Sequence, residues 1–469
     1  MTTWSRFNEG GGEPGAMKPA VQSIGYGVGD FGMNLFWNSL SLLLLFYYTQ
    51  VLGLPPRDAG VIFFIGTVWD AFTDPIMAAI AERTRTRWGS YRPYLPFGGA
   101  VLCAAFIGLM APIAWDGAVM LPALLIFHLI FRTSYTLVGI PYSALSTRIT
   151  DDGRERVILS GMRMFFALLG NLAIAALTFP IVRAAGDGSD TSQIGFFWFA
   201  CLCALVAYFC FLLSFFFTKE KVGAASSPIS LRASVKSAIQ SLRFNRALHT
   251  MVAIVFCQAA ASLIFAATLA FFVDVHAVQL RSKEEILGAN AAIMLLAVPV
   301  WTTIAHLFGK RRAWIGASII IIGAGLHLGG ARVLIVDGWA LQVFAMAFGF
   351  GAFGVLIWSM VPDTVEYGAW KTGVRSEAAA FGITLFVQKL SIGTAGLLIG
   401  LVLEAIGYST APEEATARMA DAIRMMMGAG PALLMAVCLV PLVCHPVNRV
   451  SHKAARAALR RGAHAKGND

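Results

Sequence analysis

The chain has 469 residues, 57% of them apolar and 13% charged, with a mean hydropathy of +0.70. A water-soluble domain carries about 25% charged residues, so this composition excludes a soluble enzyme or binding module and calls for a polytopic membrane protein. The formal charge of +10 does not point to a polynucleotide partner, because most of the Lys and Arg fall in the short segments on one side of the apolar runs, the bias that sets membrane topology.

The first 20 residues are polar and Gly-rich and do not read as a cleavable signal peptide, and residues 1–23 are expected to form a cytoplasmic N-terminal tail. Beyond them, runs long enough to cross the hydrocarbon, about 20 apolar residues each, number twelve: 24–51, 58–81, 94–114, 118–146, 157–183, 192–217, 248–274, 286–308, 313–331, 337–361, 377–406 and 423–445. An even number returns both termini to one side. The basic loops Arg83–Arg92, Arg148–Arg156, Lys219–Arg246 and Lys310–Arg312 make that side the cytoplasm. The longest polar connection, 218–247, follows the sixth span and divides the chain into six-helix halves at 24–217 and 248–446, the repeat logic of secondary transporters. The predicted fold is therefore all-α, twelve transmembrane helices in two halves. A basic cytoplasmic tail, 447–469, follows, and its Arg449–Lys466 segment suits anionic lipid head groups.

Within the first span, Gly27, Gly29 and Gly32 repeat a spacing found again at Gly349, Gly351 and Gly354. A dinucleotide site needs a strand before such glycines; inside membrane spans they predict close helix packing. Asp30 and Asn34 share a face of this span. Asn34 is expected to face a cavity, whereas Asp30 either joins it or is shallow enough to be solvated. In the second span, Asp70 and Asp74 lie one helical turn apart at membrane depth, where an acid must be paired, hydrated or holding an ion. Two converging carboxylates suit a hard monovalent cation or a shared proton, against the alternative of a structural ion pair or a cytoplasmic helix end. Arg132 of the fourth span sits near the depth of Asp70, with Thr136 one turn further on. It is expected to pair with Asp70 or with a substrate oxygen. Arg163 and Lys389 are lone cations in the fifth and eleventh spans, one in each half, as an anionic or polyhydroxylated substrate would require.

Arg83 and Arg87 after the second span and Lys310–Arg312 after the eighth occupy matching places. They either clamp helix-end carbonyls and nearby acids or signal topology alone. Asp363, Glu366, Lys371, Arg375 and Glu377 bracket the loop between the tenth and eleventh spans and suggest an ion-pair gate or solvated surface charge. His128 and His327 are isolated and read as packed, singly bonded rings. The seven cysteines lie in apolar runs as small core residues, not a disulfide frame or zinc site. No Ser-His-Asp, His-Glu-x-x-His or phosphate-loop pattern occurs. The chain is therefore not expected to be an enzyme, no cofactor is expected, and energy for active transport would come from an ion gradient.

Tyr26-Gly-Val-Gly-Asp-Phe-Gly, Trp69-Asp70-Ala-Phe-Thr-Asp74-Pro75 and Arg85-Thr-Arg87-Trp-Gly-Ser-Tyr-Arg-Pro93 resemble the glycoside-pentoside-hexuronide cation symporters of the major facilitator superfamily. Tyr135-Thr-Leu-Val-Gly-Ile-Pro141-Tyr, Asp363-Thr-Val-Glu-Tyr-Gly-Ala-Trp-Lys371 and Arg375-Ser-Glu377 add to the likeness, which runs from about residue 24 to 445. The resemblance implies a cation site at Asp70, Thr73, Asp74 and Thr136, holding Na⁺ at the two carboxylates if the coupling ion is sodium and a proton otherwise. It places Arg163 and Lys389 among substrate or coupling residues. Members that carry melibiose have sugar-binding acids where this chain has Asn34 and Gly139, a Trp where it has Ser143 and a Lys where it has Met33. With two acids gone, Arg132, Arg163 and Lys389 would be less neutralised, which suits a sugar acid, and lysolipid-carrying relatives keep an amphiphile open. The implied function is Na⁺- or H⁺-coupled symport of a glycoside, pentose or hexuronide by a monomer in the cytoplasmic membrane. The partners are then a small solute, a cation and lipid, with no nucleic acid, and the alternatives are an amphiphile carrier or a non-transporting sensor.

Overall fold

The computed structural model describes residues 19–113, 117–150, 153–220, 243, 245–276, 283–331, 338–372, 377–408, 417–447, 451 and 454. Thirteen α-helices of twelve or more residues follow one another among them: α1 Pro19–Asn38, α2 Pro56–Arg83, α3 Pro96–Leu109, α4 Gly117–Ile149, α5 Gly153–Ala185, α6 Gln193–Phe217, α7 Arg246–His276, α8 Lys283–Phe308, α9 Lys310–Leu326, α10 Trp339–Phe350, α11 Phe353–Thr372, α12 Glu377–Ala405 and α13 Ala417–Cys444. Among the described residues, eleven helical stretches are long and apolar enough to cross a membrane, with α10 and α11 joined as one. The first span makes the twelfth. It runs on from α1 through two wide π-helical turns, Ser39–Leu43 and Tyr47–Val51, with Leu44–Phe46 in α conformation between them. The helical ends extend beyond several of the apolar runs: α1 starts at Pro19 and α4 ends at Ile149, because polar residues continue a helix into the interface once the apolar stretch has nucleated it.

Residues 42–48 of the first span are buried on every face. Phe46 meets Phe179 and Tyr47 meets Phe196, with ring centroids 5.7 and 5.2 Å apart, and the Tyr48 hydroxyl reaches His128 Nδ1 at 3.1 Å. An apolar surface all round gives a helix no preferred face, so packing from several neighbours decides the turn. The wide turn is closed by the Leu52 amide donating to the Tyr47 carbonyl at 3.0 Å, five residues back.

The chain separates into two compact units: unit 1, Met1–Pro228 with Lys283–Gly288, and unit 2, the remainder. In unit 1, α1 packs on α5 and α6, α3 on α4 and α6, and α2 on α4. In unit 2 the corresponding helices meet again: α7 packs on α12 and α13, and α9 on α10 and α13. The repeated pairing is the structural counterpart of the two halves. The six residues of α8 in unit 1 are held by Arg183, which bonds Asp190 at 2.7 Å and Glu284 at 2.6 Å, while Lys283 reaches Asp190 at 3.3 Å.

Both glycine patterns are packing surfaces. A Cβ at Gly32 would lie 3.1 Å from the Ala207 carbonyl of α6, and one at Gly351 would lie 2.7 Å from the Met294 carbonyl of α8. The large apolar side chains left on the outer surface include Phe72, Ile76 and Ile80 on one stripe of α2, opposite in character to the face that carries the acids.

Candidate cation and substrate site

α2 and α4 run parallel, and three successive turns meet at a constant offset of 62 residues. At the first, Gly66 lets the His128 ring lie against the α2 backbone; a Cβ there would stand 2.2 Å from His128 Nε2. At the second, Arg132 engages both oxygens of Asp70, Nε donating to Oδ1 at 3.2 Å and Nη2 to Oδ2. Their side chains are 4% and 1% exposed. At the third, Thr136 Oγ1 donates to Asp74 Oδ1 at 2.8 Å. Trp69 Nε1 donates to Thr133 Oγ1 at 2.9 Å on the outer side and fixes the register between the second and third rungs.

The burial explains the pairing. A carboxylate or a guanidinium alone at this depth costs several kcal/mol, and removing one member of such a pair costs about 3–5 kcal/mol. Arg supplies a planar fork that serves both carboxylate oxygens at once. Asp74, one turn on, is half-buried and in contact with a hydroxyl. The hydroxyl of Thr73 donates to the Trp69 carbonyl at 3.3 Å. Among the described residues no group of three or more His, Cys, Asp or Glu converges as a transition-metal site would require.

A second polar cluster of unit 1 lies on α1, α4 and α5. Asp30 is buried and accepts from Arg163 Nε at 3.1 Å. Asn34 Nδ2 donates to Asp30 Oδ2 at 3.2 Å, and Asn38 Nδ2 to the Asn34 carbonyl at 2.8 Å, so three polar side chains climb one face of α1. Arg163 also lies 5.7 Å above the Tyr142 ring and 3.4 Å from Ser143 Oγ. Tyr142 stacks on Tyr26, ring centroids 4.7 Å apart, and Trp37 lies 5.8 Å from Tyr135. At Gly139 the space a side chain would fill is bounded by the Met33 methyl, 3.2 Å from an ideal Cβ. In unit 2, Lys389 is half-buried on α12.

The expectation that Arg132 and Arg163 stand less neutralised is corrected here. Each is matched by an acid, Asp70 and Asp30 respectively. Sequence reading left Asp30 undecided and missed its partner, because two lone charges 133 residues apart carry no spacing signal.

At the polar ends of the helices, Arg83 is exposed and the Arg87 guanidinium lies 4.4 Å over the Trp88 ring. Arg92 donates to the Phe215 carbonyl at 2.6 Å at the end of α6, and Arg311 donates to the Val443 carbonyl at the end of α13. The helix-end carbonyls are thus taken by arginines at matching places in both units. Lys310 bridges to Asp363 at 2.7 Å and to the Ser359 carbonyl. Lys371 lies 4.0 Å over the Trp370 ring, and Glu366 is half-buried on α11. Arg375 and the Glu377 side chain lie outside the described residues. One residue had no sequence signal at all: the Glu220 carboxylate accepts the backbone N–H groups of Ser90, Tyr91 and Arg92 at 2.9, 2.7 and 2.9 Å.

Residues 25–449 match the family model described as MFS/sugar transport protein. The chain belongs to that family. Its relatives identify it as the glycoside-pentoside-hexuronide branch. It is 29% identical to the isoprimeverose transporter of Lactiplantibacillus pentosus over 93% of this chain and 91% of that one. It is 27% identical to the glucuronide carrier protein homolog of Escherichia coli, covering 90% and 92%. Among solved structures, the nucleoside transporter NupG superposes with a TM-score of 0.66 at 12% identity over 90% of this chain and 99% of that one. The D-xylose-proton symporter superposes with a TM-score of 0.60 at 12% identity over 91% and 96%. The fold is that of the major facilitator transporters, and the chain is a multi-pass membrane transporter of the sugar-carrying type, not an enzyme.

Proposed function

We propose that the chain couples inward movement of a neutral glycoside or pentoside to a Na⁺ or proton gradient by alternating access, as a monomer in the cytoplasmic membrane with both termini inside. The observation that carries this reading is the α2–α4 ladder, which sets Asp74 and Thr136 one turn from a fully compensated Asp70–Arg132 pair. A half-buried carboxylate backed by a hydroxyl is a place where a monovalent cation or proton gains from leaving water. Substrate and cation then raise each other's affinity by the same factor.

Neutral sugar is favoured over a sugar acid because Arg132 and Arg163, the two unit 1 arginines considered for the substrate, are each matched by a carboxylate. Asn34, Asn38 and Ser143 supply donors and acceptors for hydroxyl groups, and Trp37 and Tyr135 supply apolar faces for a pyranose ring. The relatives named above, one for isoprimeverose and one a glucuronide carrier homolog, span both options. Competition in proteoliposomes separates them: a neutral disaccharide such as isoprimeverose should inhibit uptake where a free uronate or a lysolipid does not. For coupling, Asp74→Asn should abolish gradient-driven accumulation while leaving downhill exchange. Concentrative uptake by that variant would refute the coupling role.

A further inference from the structure

We propose that Asp30 is the specificity-determining residue of the carrier: by holding the Arg163 guanidinium and the Asn34 amide, it makes the polar face of α1 accept hydrogen bonds from sugar hydroxyls and turn away a sugar carboxylate. The inference rests on the neutral-sugar reading above and deepens it by naming the residue that makes the choice.

Hydrogen-bond direction gives the first reason. Both oxygens of Asp30 are engaged inside the cluster, Oδ1 by Arg163 Nε at 3.1 Å and Oδ2 by Asn34 Nδ2 at 3.2 Å. Asn34 Nδ2 also donates to the Asp30 carbonyl at 2.9 Å. Both of those partners are acceptors, so the amide nitrogen of Asn34 must face them and its Oδ1 faces Asn38. Asn38 repeats the arrangement: Nδ2 donates to the Asn34 carbonyl at 2.8 Å and stands 3.4 Å from Asn34 Oδ1. The direction set at Asp30 is thus passed along two turns of α1. It ends at Asn38 Oδ1, which accepts no hydrogen bond among the described residues. An amide oxygen needs a donor; a hydroxyl supplies one and a carboxylate does not.

Charge leads to the same choice. The Asp30 side chain is 6% exposed and that of Arg163 39%, and a guanidinium left open in a membrane span faces water rather than lipid. Arg163 Nη2 reaches Ser143 Oγ, an exposed hydroxyl, at 3.4 Å. Alone, this planar fork would be the natural anchor for a carboxylate. With Asp30 beside it the pair is neutral, and an acidic sugar would add an uncompensated charge at membrane depth. A substrate carboxylate on Arg163 would stand about 6 Å from Asp30, and at an effective dielectric of about 20 their repulsion amounts to about a hundredfold in affinity. Asp30 is therefore a positioning residue: it acts on the sugar through Arg163 and Asn34.

The test uses the purified full-length protein in detergent and two probes that differ in one group, methyl glucoside and methyl glucuronide, with affinities read by titration calorimetry. The wild type should prefer the glucoside. Asp30→Asn keeps an acceptor for Asn34 but leaves the Arg163 charge unmatched. It should raise the ratio of glucuronide to glucoside affinity at least about tenfold, a shift of preference that loosened packing alone would not produce. Asp30→Asn combined with Arg163→Gln makes the pair neutral again and should lose that gain. Should Asp30→Asn lack a cooperative melt, Asp30→Ser, which leaves room for water against Arg163, carries the same expectation. An unchanged ratio in the single variant, an equal gain in the double variant, or folding in the double variant alone overturns the proposal while the neutral-sugar reading survives. A wild type that binds the glucuronide more tightly, or that binds neither probe, overturns both.

Discussion

Glu220→Gln tests whether one carboxylate holds the loop between α2 and α3 onto the end of α6. In the structure Oε1 accepts from Tyr91 and Arg92, at 2.7 and 2.9 Å, and Oε2 accepts from Ser90 at 2.9 Å. A hydrogen bond to a charged acceptor contributes about 1.5–3 kcal/mol net, and one between neutral groups about 0.5–1.5. Glutamine keeps its carbonyl for two of the three amides at the weaker strength and turns an NH₂ toward the third. Because Glu220 is half-buried and water competes for the freed amides, the net loss should be about 2–3 kcal/mol, roughly 30- to 150-fold in the local opening equilibrium. The assay is hydrogen exchange of the peptide containing Ser90, Tyr91 and Arg92, with the α4 peptide around Phe131 as internal reference. The three amides should exchange faster by that factor while the reference is unmoved. A change of less than about threefold at those amides would show that the backbone, not the carboxylate, holds the loop.

Two further predictions concern stability. His445, just beyond α13, lies 2.7 Å from Thr250 Oγ1, and burial, reinforced by the charge of Arg311, pushes it down to about 4. The unfolded chain, with an imidazole near 6.5, then binds more protons between those values. Stability is therefore complete above about pH 6.5 and falls as pH drops toward 4, by about 3 kcal/mol. His445→Gln should flatten this dependence, and parallel thermal midpoints for the two proteins across the window would refute it. Gly66→Ala places a methyl 2.2 Å from His128 Nε2 and should cost about 1–3 kcal/mol through overpacking. The added His128→Ala should recover part of the loss, whereas a wild-type midpoint for Gly66→Ala alone would show that α2 and α4 separate freely.

Much of the fold class was legible because membranes allow so few solutions: apolar length alone gives the helical spans. The Asp70–Arg132 pair was legible for a similar reason, since two opposite lone charges at matching depth have few other partners. Asp30 was not. Its partner Arg163 is remote in sequence, and its depth alone left burial and solvation equally open. Glu220 was illegible in principle, because the donors it serves are backbone amides, which every residue except proline carries. The consequence is larger than one contact: taking Arg163 as weakly compensated favoured a sugar acid, and finding Asp30 beside it reverses that preference. The π turns of the first span were hidden because residues apolar on every face give no periodicity to read.

Those turns bear on how the carrier tolerates changes of length. A wide turn holds one more residue than the α geometry needs, so losing a single residue within Ser39–Leu43 or Tyr47–Val51 can be absorbed by tightening the coil. A one-residue loss inside α2 has no such slack and would swing Asp70 and Asp74 by about 100° off the face opposite α4. Homologues of unequal length should therefore place their insertions and deletions in the outer part of the first helix, and spare the helix that carries the acids.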